Sequence, residues 1–82
     1  MDSIILKAAI VQILKDRDEE PAPEKYVMLA LNVHYRIKPT WSELRSAMKE
    51  LDESRLLVGL TEEDKTVLWS LSTKGKHKVF SI

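Results

Sequence analysis

The residues around position 40 constrain this chain more than any other stretch. Pro39 biases Lys38 away from helical backbone angles, so a helix cannot run smoothly into Thr40 from before it. Thr40-Trp41-Ser42-Glu43 then has the spacing of a capping box. The threonine side chain takes one free amide and the glutamate reaches back to another, together worth on the order of 1 kcal/mol. A helix therefore begins at Thr40. Leu44, Ala47, Met48 and Leu51, with Ser54 or Arg55, form its inward stripe, and Leu56 and Leu57 close it.

Upstream, Ile4 to Asp16 reads as a first helix, with Ser3 able to cap it and Leu6, Ala9, Ile10, Ile13 and Leu14 on one face. Ile4, Ala8 and Val11 form a second apolar stripe that needs cover. Either the carboxy-terminal Val79, Phe80 and Ile82 fold back on it, or a second subunit does. Residues 16–23 combine high charge, two prolines and no periodicity, the marks of a connector. Glu24 to about Val33, launched by Pro23, carries Tyr26, Val27, Leu29, Ala30 and Leu31 with almost no polar face, which predicts a helix in the middle of the core.

After Leu57 the pattern changes. Val58-Gly59-Leu60 and Thr66 to Ser72 flank a polar tip from Thr61 to Lys65, and Val67, Trp69 and Leu71 alternate with Leu68, Ser70 and Ser72. The β-branched Thr66 and Val67 favour a hairpin over the competing helix from Glu62, which Thr61-Glu62-Glu63-Asp64 could cap. At 82 residues there is room for one hydrophobic core. The reading is one domain over residues 1–82, mainly α within the α+β class: three helices followed by a two-stranded hairpin.

That order resembles a winged helix-turn-helix domain. In bacterial regulators of the MarR and PadR kind the third helix runs into a glycine and a short strand. The second strand of their hairpin ends in a phrase like aromatic-x-Leu-Thr-x-x-Gly. Here Met48 to Leu57 is similar to the helix end and Trp69-Ser70-Leu71-Ser72-Thr73-Lys74-Gly75 to the strand end, so the resemblance spans about residues 40–75. Two positions depart from the pattern. Arg55 stands where the family usually has glycine, so it takes a left-handed backbone at a cost on the order of 1 kcal/mol or the chain turns otherwise. Ser72 replaces the usual threonine and keeps the hydroxyl. The resemblance implies a small transcriptional regulator, dimeric, that places its third helix (about 40–57) in the major groove of double-stranded DNA.

Lys+Arg 13 balance Asp+Glu 13, so anion binding has to come from local clustering. Between His34 and Lys49, Arg36, Lys38, Arg45 and Lys49 are opposed by Glu43 alone. Ser42, Arg45, Ser46 and Lys49 fall at i, i+3, i+4 and i+7, on the opposite face from Leu44, Ala47, Met48 and Leu51. Such a stripe suits a groove: arginine and lysine can read guanine edges, while serine binds bases or phosphates. Arg36, Lys38 and Lys74 are the expected phosphate contacts. Against DNA stand Glu50, Asp52 and Glu53, which would have to point away, and the acidic tip Glu62-Glu63-Asp64, which is expected to avoid the duplex. Trp41 reads as a partly buried staple on the turn rather than as an exposed stacking residue.

Other chemistries find little purchase. There is no cysteine, and His34 and His77 stand far apart, so no metal site is expected. His34, beside Tyr35, reads as a surface or cap residue. Glycine occurs only at positions 59 and 75, which leaves no phosphate-cradling loop, and no nucleophile elbow or paired-carboxylate spacing is present. Neither an enzyme nor a cofactor is expected. Asp2 stands where a secretory signal would be basic, and Lys7 interrupts an apolar run already too short to span a bilayer, so a cytoplasmic, non-membrane protein is expected. Two function classes remain. One is a DNA-binding regulator that dimerises through Ile4, Ala8 and Val11. The other is a winged-helix module that binds protein and not DNA, favoured by the zero net charge and the acidic wing.

Overall fold

The first helix, α1 (Ser3–Asp16), organises the molecule, because it buries Leu6, Ala9, Ile10, Val11, Ile13 and Leu14 over a broad face. The computed structural model describes residues 3–18 and 20–80, and continues with β1 (Ala22–Pro23), α2 (Glu24–His34), α3 (Trp41–Glu53), β2 (Leu57–Thr61), β3 (Val67–Leu71) and α4 (Thr73–Lys76). The chain is α+β, with four helices and one antiparallel three-stranded sheet among the described residues. α2, α3 and β3 all pack on α1, so one core built around Ile10, Val27, Leu31, Leu44 and Leu51 joins helices and sheet.

Several expectations change. Val11 is only 2% exposed, not on an outward stripe. Ala8, Val11, Gln12 and Lys15 share a hollow with Lys78, Val79 and Phe80, and the Lys15 ammonium donates to the Lys78 carbonyl at 3.4 Å. Phe80, half-buried against the core, thus lies over the Ala8 and Val11 part of the expected stripe, while Ile4 stays 51% exposed. Ile82 lies outside the described residues. Ser3, expected as a cap, is the first residue within α1.

The second helix is not central. α2 buries Val27, Ala30 and Leu31, whereas Leu29 (60% exposed) and Val33 (61%) face outward. A domain this small packs neighbours against one side of α2 and lacks the chain to wrap the other. Tyr26 is partly covered by the Arg17 guanidinium, 4.2 Å from its ring centre. Arg17 is itself held by donation to the Glu20 and Pro21 carbonyls.

The connector also yields a strand. Ala22 pairs with Trp69 and Pro23 with Leu68, giving the strand order β1-β3-β2. Proline is tolerated because β1 lies at the sheet edge, where a missing N–H leaves no ladder bond unmade. What places a strand in this proline-rich segment is tertiary packing: Ala22 is fully buried, an outcome that local propensity does not register. β2 and β3 pair antiparallel from Leu57↔Leu71 to Thr61↔Val67. In the turn between them the Asp64 carboxylate accepts the Thr66 N–H at 3.0 Å.

At the start of α3 the capping box is formed. The Glu43 N–H donates to Thr40 Oγ1 at 3.0 Å, and the Thr40 N–H donates to Glu43 Oε1 at 2.8 Å. Leu44, Ala47, Met48 and Leu51 are buried, but Ser54 and Arg55 are exposed because the helix stops at Glu53. Arg55 takes the left-handed conformation with φ 62°. The Leu56 N–H then donates to the Leu51 carbonyl and the Arg55 N–H to the Asp52 carbonyl, both at 2.9 Å, the pair of bonds that defines a Schellman end.

Candidate nucleic-acid interface

α3 carries the candidate site, and its cap fixes where the first outward turn points. Ser42, Arg45, Ser46 and Lys49 are all exposed, on the face opposite the buried leucines, and occupy about 10 Å of helix length. Trp41 departs from expectation. It is 41% exposed at the first helical position, and the Arg45 guanidinium lies 5.4 Å from its ring centre. Arg45 sits between this ring and a carboxylate: its Nη2 is 2.9 Å from Glu24 Oε1 and its Nε 3.3 Å from Glu24 Oε2. That two-point contact, reinforced by attraction between the charges, holds the guanidinium's pKa above its ordinary value. Glu24 comes from the first turn of α2, 21 residues away in sequence, so nothing local to α3 announces it.

The acidic residues of α3 do not all turn away. Asp52 lies seven positions after Arg45, and Glu53 seven after Ser46, so both return to the stripe that carries the cations. Both are exposed, about one turn beyond Lys49. Glu50, on the flank, pairs with the Lys7 ammonium of α1 at 3.3 Å. The outer face is therefore polarised along its length, with Trp41, Ser42, Arg45, Ser46 and Lys49 in its first part and carboxylates at its end.

The basic turn adjoins the first part. Arg36 and Lys38 are exposed between α2 and α3, and Arg36 occupies a left-handed position with φ 54° immediately after the helix cap Tyr35. Pro39, buried behind them, anchors the turn. Lys74 lies elsewhere: its ammonium donates to the Ser54 carbonyl at 3.2 Å, at the carboxy-terminal end of α3. There it opposes the negative end of the helix dipole and stands apart from Ser42 and Arg36.

Other possible centres are thin. Among the described residues no group of three or more His, Asp or Glu side chains is placed to hold a metal ion. His34 lines a hollow with Ile13, Asp16, Tyr26, Ala30 and Tyr35, where burial, then the Asp16 charge, pushes the Tyr35 hydroxyl up. No helix among the described residues is long and apolar enough to cross a membrane. No protein-family model, curated protein or solved structure matches the chain.

Proposed function

We propose that this chain is a winged-helix DNA-binding module that offers the first half of α3 to the major groove. The element order supports the reading: helix, short strand, two helices, then a hairpin whose second strand also holds the short strand. One observation carries it. The exposed donors Ser42, Arg45, Ser46 and Lys49 continue directly from the exposed cations Arg36 and Lys38, at the end of α3 that a recognition helix turns to base edges. Glu24 acts as a stand-in acceptor. In the unbound chain its carboxylate takes the guanidinium fork of Arg45, and a guanine edge or phosphate has to displace it.

Fluorescence anisotropy with mixed-sequence duplexes at low and moderate salt tests this. Affinity is expected to fall with salt, with a log–log slope of about −3 for the few phosphates that Arg36, Lys38 and their neighbours can reach. Arg45→Ala should weaken a preferred site about tenfold or more and blunt sequence preference. Glu24→Gln should tighten binding several-fold, because it removes both the competitor and a negative charge. Absence of binding at low salt overturns the proposal. The second reading, a protein-binding winged helix, is favoured by a separate observation: Leu29 and Val33 project from α2 as an exposed apolar pair.

A further inference from the structure

We propose that β2 is a self-pairing edge, along which two copies of this chain join antiparallel to make one continuous six-stranded sheet. β2 lies at the end of the strand order, and Leu57–Thr61 contains neither a charge nor a proline, the usual devices that keep edge strands apart. Val58 and Leu60 point outward from the sheet and are 49% and 59% exposed.

The intrachain register determines which backbone groups are available. At one end of the hairpin the Glu62 N–H donates to the Thr66 carbonyl, and at the other the Ser72 N–H donates to the Leu56 carbonyl. Antiparallel bonding alternates every second residue, so Val58 and Leu60 bond to β3 while Gly59 and Thr61 direct N–H and C=O to the open edge. These open positions are self-complementary about a two-fold axis at Gly59. Gly59 pairs with the second copy's Gly59, and Thr61 with the second copy's Leu57. Val58 and the second copy's Leu60 then meet as a non-bonded pair, the kind in which side chains come closest.

Charge selects a second copy over another apolar strand. Continuing the same register past Leu57 brings the Arg55 corner of one chain alongside the acidic tip Glu62-Glu63-Asp64 of the other, twice over by symmetry. An exposed arginine and an exposed acidic tip at opposite ends of one uncharged strand suit this antiparallel arrangement and oppose a parallel one. The surface is separate from both α3 and the Phe80-covered face of α1.

Sedimentation equilibrium and amide hydrogen exchange on the full chain test the proposal. A dimer with a dissociation constant on the order of 100 µM or tighter is expected, as suits a small interface. The Gly59 and Thr61 amides should gain protection with rising protein concentration, while those of Val58 and Leu60 are protected throughout. V58K and L60E alone should each weaken self-association about tenfold or more, and an equimolar mixture of the two should recover it, because the new charges face each other across the axis. Both changes are at exposed positions, and circular dichroism verifies that the variants fold. A monomer at about 1 mM overturns the proposal. So does a dimer whose Gly59 and Thr61 amides exchange independently of concentration, which would locate the contact elsewhere.

Discussion

The two ends of α3 are closed by different means. At the amino end Thr40 and Glu43, three residues apart, satisfy each other's backbone amides without help from the rest of the molecule. At the carboxy end the local Schellman bonds are backed by groups far along the chain. The Ser72 hydroxyl donates to the Arg55 carbonyl at 2.6 Å and accepts the Gly75 N–H at 3.0 Å. The Ser72 N–H donates to the Leu56 carbonyl at 3.0 Å, and Lys74 reaches the Ser54 carbonyl. One end is a local motif alone, and the other a local motif held in a tertiary clamp. The contrast gives a physical account of the Ser72-x-x-Gly75 phrase: its hydroxyl bridges two backbones, and its glycine lets them approach.

The largest effect expected from breaking this contrast comes at Gly75. A Cβ there would overlap the Leu56 carbonyl oxygen, a backbone atom already fixed by its bond from Ser72. Gly75→Ala should cost about 3 kcal/mol or more, enough to leave much of so small a domain unfolded in thermal melts. Thr40→Ala removes only one side of the local box, so a loss of about 1 kcal/mol is expected from urea titration. Arg55→Gly should act in the opposite sense. It relieves a left-handed non-glycine residue and raises stability by about 0.5–1 kcal/mol, with the midpoint shifting at constant urea slope.

The smallest effect concerns pH. Donation from the Thr40 backbone, then from its side chain, outweighs desolvation and holds the Glu43 carboxyl below its usual range. The Thr66 backbone does the same for Asp64. Each carboxylate binds its proton less readily in the folded chain, so its contribution is full above the unfolded value near 4 and disappears as pH falls through the folded value. Protection factors of the amides in the first turn of α3, corrected for the intrinsic pH dependence of exchange, should fall over that acidic window while those at its carboxy end stay constant.

Legibility followed the same division. The start of α3 and its inward stripe through Leu51 could be read from neighbouring residues, since each rests on spacing within a turn or two, whereas the left-handed option at Arg55 was legible only through the family resemblance of the helix end. β1 could not, because Ala22 becomes a strand residue only when Trp69 arrives beside it. Likewise, the apolar composition of α2 says that it can be buried, whereas the exposure of Leu29 and Val33 depends on how much chain remains to cover them. At the candidate site the outward positions of Ser42, Arg45, Ser46 and Lys49 follow from helical periodicity. The Glu24 partner of Arg45 and the position of Lys74 at the carboxy-terminal end of α3 are set by packing between elements, and the exposure of Trp41 likewise depends on what packs beside it and not on its place in the helix.

The asymmetry of α3 also bears on the order in which the chain acquires its structure. A box spanning three residues closes with little loss of chain entropy, whereas the clamp joins groups separated by 17 and 20 residues and has to await the intervening hairpin. The local turns at Thr40 and Arg55 are therefore expected to close before the clamp that backs the second of them. Damage at the Thr40 box retards folding, and damage at the clamp hastens unfolding, so a defect at either end of the same helix shortens the native lifetime or delays its onset by separate routes.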